Sequence, residues 1–220
     1  MATIVYIVRH CEALGNLSGR FQGQIDHDIT ETGAKQLVRL AERFENVEID
    51  AVYASPLIRA HKTAKAIADK KGLSVTLMDA LKELNVGALE NVTYEAFKSD
   101  FNDLYYAWVN EPWAFEAPKG EKMTELYERI WGAVLKIVKE NSGKTVLVAS
   151  HGCAIRNIVC RILYNDIKMM NAVKIGVNTA VTKLIFSDEG CTAEYICDHS
   201  HLSPEELPGS SRFILEKSEK

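Results

Sequence analysis

Short apolar segments alternate along this chain with longer segments whose apolar residues recur at helical spacing. The segments typical of buried strands span residues 4–8, 51–54, 75–78 and 146–149. Strands that alternate with helices assemble into a mostly parallel sheet, because each crossover helix packs back on a sheet face. The sequence therefore predicts an α/β fold, a three-layer sandwich with a mostly parallel central sheet and helices on both faces.

Capping residues and periodicity place the helices between these strands. Thr30 is a suitable N-cap for a helix over residues 31–44, and Ser55-Pro56 predicts the start of a helix that Gly72 ends. The remaining predicted elements are helices over 92–104, 121–141 and 153–164, a loop or short-helix cap over 105–119, and strands near 182–186 and 193–197.

Composition and charge limit the function classes. The 220 residues carry a formal net charge of −4, which disfavours binding to nucleic acid or to a membrane surface. No apolar run approaches the roughly 18 residues that span a bilayer, and a secretory signal is not evident. An odd number of cysteines without paired spacing is typical of reduced cytosolic thiols. We expect a cytoplasmic protein with one domain over residues 1–208, a cap segment near 90–120 and a mobile tail over 209–220.

Two histidines follow apolar strand segments directly. His10, preceded by Arg9, comes after the first strand, and His151, followed by Gly152, comes after the strand at 146–149. Open α/β sheets bind ligands in the crevice outside the carboxyl ends of their strands, so both imidazoles are expected there. An arginine beside such a histidine suits a bound phosphate better than a metal ion.

Cleaving a phosphate ester through histidine requires a neutral imidazole that attacks phosphorus and fixed cations that hold the phosphoryl oxygens. His10 is the candidate nucleophile, with Arg9 beside it and Arg59 in the first turn of the second predicted helix. His151 would add a donor from the other strand end, and Asn16 could donate an amide N–H. These groups supply the positive charge, so we expect neither a metal nor a cofactor.

The reaction also requires an acid that protonates the departing oxygen and then acts as a base toward water. Glu83 follows the third predicted strand and is the best-placed carboxylate, while Glu90 and Glu12 are the alternatives.

Four blocks in fixed order resemble the motifs of the histidine phosphatase superfamily, the phosphoglycerate-mutase-like proteins, over nearly the whole chain. The blocks are Val8-Arg9-His10-Cys11-Glu12 with Asn16, then Gly23-Gln24-Ile25-Asp26 with Thr30 and Gly33, then Ala54-Ser55-Pro56-Leu57 with Arg59, then Ser150-His151-Gly152 with Arg156. The resemblance implies the phosphoglycerate-mutase-like fold and an enzyme of the histidine acid-type phosphatase kind, a phosphoric monoester hydrolase without a metal or a cofactor.

The resemblance also implies roles for single residues. His10 would carry the phosphoryl group, Arg9, Arg59 and His151 would hold phosphate, and Glu83 would donate the proton. Substrate-binding positions implied in the same blocks are Asn16, Gln22, Gly23 and Gly152.

Departures from the family pattern point to a phosphatase rather than a mutase. Leu84 and Val86 stand where the cofactor-dependent mutases of the family carry an arginine and a tyrosine. The chain also has no pair of adjacent arginines like the one with which those mutases hold a second phosphate or carboxylate. Cys11 replaces the usual glycine after the histidine. We therefore expect a phosphomonoesterase acting on a small phosphorylated metabolite, with a mutase or a non-catalytic phosphate-binding module as the alternatives.

Three questions stay open on the sequence alone. Cys11 and Cys153 are either core residues or thiols whose oxidation inactivates the enzyme. Tyr105, Trp108 and Trp113 either pack the cap or stack on a ring-bearing substrate. The third question is which substrate the protein takes and which oligomeric state it has, a homodimer being one of the alternatives.

Overall fold

Six strands form one sheet in the order β3-β2-β4-β1-β5-β6 in the computed structural model, which describes residues 1–207. The strands are β1 (Thr3–Arg9), β2 (Ala51–Ala54), β3 (Val75–Leu77), β4 (Thr145–Ser150), β5 (Val181–Ser187) and β6 (Gly190–Asp198). The first four pair in parallel, and β5 and β6 extend the sheet antiparallel beside β1. The predicted α/β fold is confirmed.

Seven α-helices surround the sheet among the described residues. They are α1 (Leu14–Leu17), α2 (Glu31–Arg43), α3 (Ile58–Lys71), α4 (Tyr94–Asp100), α5 (Asn102–Asn110), α6 (Met123–Glu140) and α7 (Gly152–Tyr164). Residues 1–207 contain no helix whose length and apolarity would let it cross a membrane. The tail predicted over residues 209–220 lies outside the described residues.

Alternating side chains on the central strands produce two separate cores. Val5 and Ile7 of β1 face one side of the sheet, where Ile130 of α6 and Ile158 of α7 pack against them. Tyr6 and Val8 face the other side, in the core to which α2 and α3 contribute. Because both faces of the central strands are buried, the strands are continuous apolar runs, as expected for parallel strands.

The second long helix starts later than its capping signal predicts. Thr30 caps α2 as expected, since its hydroxyl accepts the N–H of Gly33. Ser55-Pro56, in contrast, does not open α3, which begins at Ile58 and ends at Gly72 with φ 66°. The Ser55 hydroxyl lies 2.8 Å from the imidazole of His151 instead.

The single helix predicted over 92–104 is wrong, because the chain leaves helical geometry at Phe101. Two helices result, and α5 extends to Asn110, so the segment predicted over 105–119 as a loop or short-helix cap begins with a short helix. The bend brings Phe97 of α4 and Trp108 of α5 edge-on against the same ring, that of Phe21. Packing on Phe21 rather than local periodicity therefore sets the break.

Candidate active site

The sheet order places the two strand-end histidines next to each other. β1 and β4 are parallel neighbours with Arg9 opposite Ser150, so His10 and His151 leave the sheet at the same edge. Their ring centroids are 5.2 Å apart. Both side chains are buried, His10 being 3% exposed and His151 fully covered.

His10 is held in the tautomer that a nucleophile needs. Its Nδ1 lies 2.7 Å from the carbonyl oxygen of Cys11, and because a carbonyl only accepts, Nδ1 carries the hydrogen. Nε2 is then left with a free lone pair. Burial first, and then the charges of Arg59 and Arg9, hold the pKa of His10 well below 6.5, so the ring is neutral.

His151 is oriented by the serine at the end of β2. The Ser55 oxygen accepts the N–H of Leu57 at 3.3 Å and can donate its own proton to Nε2 of His151 at 2.8 Å. Nδ1 of His151 then carries a hydrogen, and it is buried without a hydrogen-bond partner among residues 1–207. Burial and the charge of Arg59 lower the pKa of His151 well below 6.5. The ring can thus donate while neutral.

Two guanidinium groups, the buried one of Arg59 and the half-buried one of Arg9, supply positive charge to the site. Arg59 donates through Nη1 to the carbonyl of Ile25 at 2.7 Å and through Nη2 to that of Gly23 at 2.9 Å. Arg9 donates to the carbonyl of Gly176 at 2.5 Å. In both side chains Nε is buried and has no partner within the described part of the chain. Burial lowers the pKa of each arginine, and the carboxylate of Glu83 opposes that shift.

Glu83 is anchored at the start of α7. Its Oε1 accepts the N–H groups of Leu84 at 2.9 Å and Ala154 at 3.1 Å, and its Oε2 accepts that of Cys153 at 3.1 Å. Arg129 of α6 donates to the Glu83 carbonyl at 3.3 Å and so holds the segment from the other side.

The two alternative carboxylates have other partners. Glu90 accepts the N–H of Gln24 at 2.9 Å, and Glu12 accepts the hydroxyl of Thr30 at 2.6 Å. Neither lines the pocket beside His10, whereas Glu83 does. Among residues 1–207 the pocket therefore offers Glu83 as its carboxylate.

One pocket of about 110 Å³ collects the predicted residues. All of them line it except His151, which is covered and lies beside His10. The predicted residues that line the pocket are Arg9, His10, Asn16, Gln22, Gly23, Arg59, Glu83 and Gly152. The strand-edge crevice expected from the sequence is thus a formed cavity that contains these side chains together.

The loop after β1 presents amide groups to this pocket. The side chain of Asn16 accepts the N–H of Ala13 through Oδ1 at 2.9 Å. This contact does not use its Nδ2 donor. Gln22 holds its Oε1 buried without a partner among the described residues. Gly23 has φ +49°, and a Cβ there would lie 2.6 Å from the side chain of Val86, so only glycine fits.

Sequence reasoning missed several residues that line the pocket. Arg20 lies at the wall and donates to the carbonyl of Asn91 at 2.7 Å. Trp108 lines the pocket, whereas Trp113 does not, although both belong to the same aromatic segment. Phe21 and Ile175 are apolar lining residues that no motif indicated, whereas Leu84 and Val86 line the pocket at positions already singled out in the mutase comparison. Spacing from the catalytic blocks offers no signal for Ile175, which arrives on a loop far along the chain.

The two cysteines next to the histidines differ in position. Cys11 is fully buried and absent from the pocket lining, while Cys153 lines it. Burial raises the pKa of Cys11 to about 11 and raises that of Cys153 as well. The oxidation hypothesis requires a thiol of low pKa, so this geometry favours the packing role.

Buried strand-end histidines beside guanidinium groups, at the carboxyl edge of a mostly parallel sheet, are typical of α/β proteins that bind anions. Within that class the chain belongs to the histidine phosphatase superfamily, branch 1, whose family model matches residues 5–199. The family predicted from the motifs is confirmed.

Two similar proteins carry names of different activities. Phosphoserine phosphatase 1 of Hydrogenobacter thermophilus is 34% identical over 161 residues, which cover 73% of this chain and 76% of that protein. A Yersinia pestis protein named Probable phosphoglycerate mutase GpmB is 36% identical over 159 residues, which cover 72% and 74%. The solved structure of Bacillus stearothermophilus YhfR matches with a TM-score of 0.87 at 25% identity and covers 91% of this chain and 100% of that one.

Acid is expected to destabilise the fold, because His10 and His151 are buried as neutral rings. Their pKa values lie well below 6.5, so the unfolded chain takes up protons that the folded chain does not. The free energy of unfolding therefore falls as the pH drops below about 6.5, by up to ~1.4 kcal/mol per pH unit for each ring. Urea unfolding in phosphate-free buffer between about pH 7.5 and 5 measures this slope.

A His10→Ala variant provides the comparison. For this variant the free energy of unfolding is expected to depend less steeply on pH, by the contribution of one proton. Replacing the exposed His199 by alanine is expected to leave the pH dependence unchanged. Equal slopes for the His10→Ala variant and the wild type would show that His10 is not held neutral.

Proposed function

We propose that the protein is a metal-independent phosphomonoesterase that hydrolyses a small phosphorylated metabolite through a phosphohistidine at His10. The observation that carries the proposal is the neutral His10, with a free Nε2, in one pocket with Arg9, Arg59 and Glu83. Phosphoryl transfer depends mainly on positioning and on stabilising charge on the phosphoryl oxygens. The guanidinium groups of Arg9 and Arg59 and the Nδ1–H of His151 supply that stabilisation.

The reaction proceeds in two displacements. Nε2 of His10 attacks phosphorus, the ester P–O bond breaks, and protonated Glu83 gives its proton to the departing alcohol oxygen. Water then attacks the phosphohistidine and gives a proton to Glu83, while the N–P bond breaks. Inorganic phosphate leaves, and both His10 and protonated Glu83 are restored for the next turnover.

Apolar walls favour hydrolysis over the mutase alternative. A mutase must hold a phosphorylated product in place for retransfer, which calls for cations around its second charged group. This pocket is lined mainly by apolar side chains there, and beyond Arg9 and Arg59 its described lining adds a single cation, Arg20. The apolar residues are Phe21, Leu84, Val86 and Trp108. Water is therefore the better acceptor for the phosphoryl group. The similarity to a protein named phosphoserine phosphatase supports hydrolysis. The similarity to a protein named as a probable phosphoglycerate mutase is the reason to measure isomerisation as well.

The direct test compares two products in one reaction. Purified protein is incubated, with a chelator present, with phosphoserine, 3-phosphoglycerate and a panel of sugar and aryl phosphates. We expect release of inorganic phosphate without isomerisation of phosphoglycerate. Isomerisation faster than release would assign the mutase activity, and binding of phosphate without turnover of any ester would assign a binding module.

Trp108 is expected to set the preference among leaving groups, because its ring forms part of the pocket wall. Replacing it by alanine should raise KM for aryl phosphates by about tenfold relative to small alkyl phosphates, the scale of one lost ring contact. Trp113 is the matched control, since it belongs to the same segment but lies outside the lining. Equal KM ratios for the Trp108→Ala and Trp113→Ala variants would assign Trp108 to packing alone.

A further inference from the structure

A buried turn holds the backbone of the dipeptide that carries the proposed nucleophile. Asn178 and Thr179 are both fully covered. The N–H of Thr179 donates to the carbonyls of Arg9 at 3.1 Å and His10 at 3.3 Å. Nδ2 of Asn178 donates to the same His10 carbonyl at 2.9 Å. The position of His10 therefore depends on this turn, which comes from a distant part of the chain.

Thr179 adopts a backbone conformation that a β-branched residue rarely takes. Its φ is +57°, in the left-handed region, although no glycine stands there. Such a backbone persists only where its surroundings hold it, and strained positions of this kind cluster at functional sites. Contacts with the surrounding fold must therefore hold Thr179 in this conformation.

His201 makes one of these contacts, because it binds the Thr179 hydroxyl. The hydrogen bonds around it form a chain with one consistent direction. The Thr179 hydroxyl donates to the carbonyl of Asn178 at 2.8 Å, so its oxygen is left to accept from Nε2–H of His201 at 3.2 Å. Nδ1 of His201 then accepts from the Arg43 guanidinium at 3.2 Å, and Arg43 is paired with Asp198.

The charges around His201 fit this neutral tautomer. Burial first, and then the positive charge of Arg43, lower the pKa of His201 to about 4. Asp198, His199 and Glu206 are the other titratable groups that face it, and burial and Arg43 outweigh the two carboxylates. The ring is therefore neutral near neutral pH and can donate on one side while accepting on the other.

We infer that Thr179 and His201 are positioning residues for the reaction at His10, acting through the Arg9 and His10 carbonyls rather than by touching substrate. This inference rests on the proposed function. A small displacement of a nucleophile affects the rate of chemistry far more than it affects binding. Loss of the His201 contact should therefore reduce kcat while KM stays close to its original value.

The first test removes and then restores the contact. His201→Ala is expected to lower kcat for p-nitrophenyl phosphate by about tenfold or more, with KM and the inhibition constant of inorganic phosphate changed by less than about threefold. His201→Gln offers an N–H to Thr179 and an oxygen to Arg43, so it is expected to restore kcat to within about threefold. His199→Ala, two residues away and exposed, is the control and should match the wild type.

The second test changes the other partner and does not depend on His201. Thr179→Ser keeps the hydroxyl and is expected to keep most of kcat, while Thr179→Val keeps the shape and is expected to behave like His201→Ala. The double variant with His201→Ala and Thr179→Val should lose no more than either single variant, because one contact is removed in each case.

Two results would overturn the inference. One is a lower melting temperature for His201→Ala with kcat per folded molecule unchanged, which is the behaviour of a purely structural residue. The other is full kcat in Thr179→Val. A wild-type protein that releases phosphate from no ester would instead refute the proposed function, so the two failures are distinguishable.

Discussion

Replacing His10 by alanine is expected to lower kcat for phosphate ester hydrolysis by about 10⁴-fold or more, the scale on which removal of a nucleophile acts. The free Nε2 of this buried neutral ring is the group proposed to attack phosphorus, and alanine offers no nucleophilic atom in its place. Arg9 and Arg59 stay in place, so the variant should still bind inorganic phosphate. Initial rates of phosphate release and a titration with inorganic phosphate measure the two effects.

The covalent intermediate gives this prediction a second measurement. Rapidly quenched wild-type protein should carry an acid-labile phosphoryl group during turnover, which intact mass analysis at alkaline pH detects, and His10→Ala should carry none. His199→Ala, on the exposed last loop, should behave as the wild type in both assays. Retention of more than about one hundredth of wild-type kcat by His10→Ala would contradict a nucleophilic role for this residue.

The fold was largely predictable because its central strands are buried on both faces. Such strands must be apolar throughout, and β1 and β4 are, so their pattern and order determine where His10 and His151 leave the sheet. The break at Phe101 was not predictable in the same way, because the spacing of Phe97, Phe101 and Leu104 suits one continuous helix. Packing of both halves on Phe21 decides it, and that contact has no local signal.

The residues of the candidate site likewise divide into those that the sequence predicts and those that it does not. Arg9 ends β1, and His10 and His151 follow β1 and β4 directly, so the strand pattern places all three. The ordered motifs add Arg59. Residues that reach the site from remote segments leave no such trace. The carbonyl that receives Arg9 belongs to Gly176, which lies 167 positions away in sequence. The hydroxyl of Ser55, which suggested a helix cap, contacts His151 instead. Its role became visible only from the folded arrangement.

Glu83 is expected to be the second most sensitive position, with an effect that depends on the leaving group. Glu83→Gln removes the proposed proton donor and should lower kcat for alkyl phosphates by about 10²–10⁴-fold. The nitrophenolate of p-nitrophenyl phosphate leaves without needing a proton, so the loss with that substrate should be much smaller. Comparing kcat for the two substrates isolates the proton donation from general damage to the site.

The anchoring of Glu83 makes stability a necessary companion measurement. Its two oxygens accept three backbone N–H groups, and the amide of glutamine leaves one oxygen to accept them. The variant is therefore expected to lose about 1–3 kcal/mol of stability, the cost of an unpaired buried donor, and kcat must be referred to folded protein. Glu90→Gln disturbs a backbone contact outside the pocket and is the matched control. If Glu90→Gln instead of Glu83→Gln shows the leaving-group dependence, Glu90 is the acid, and the Glu83 carboxylate serves only to cap α7.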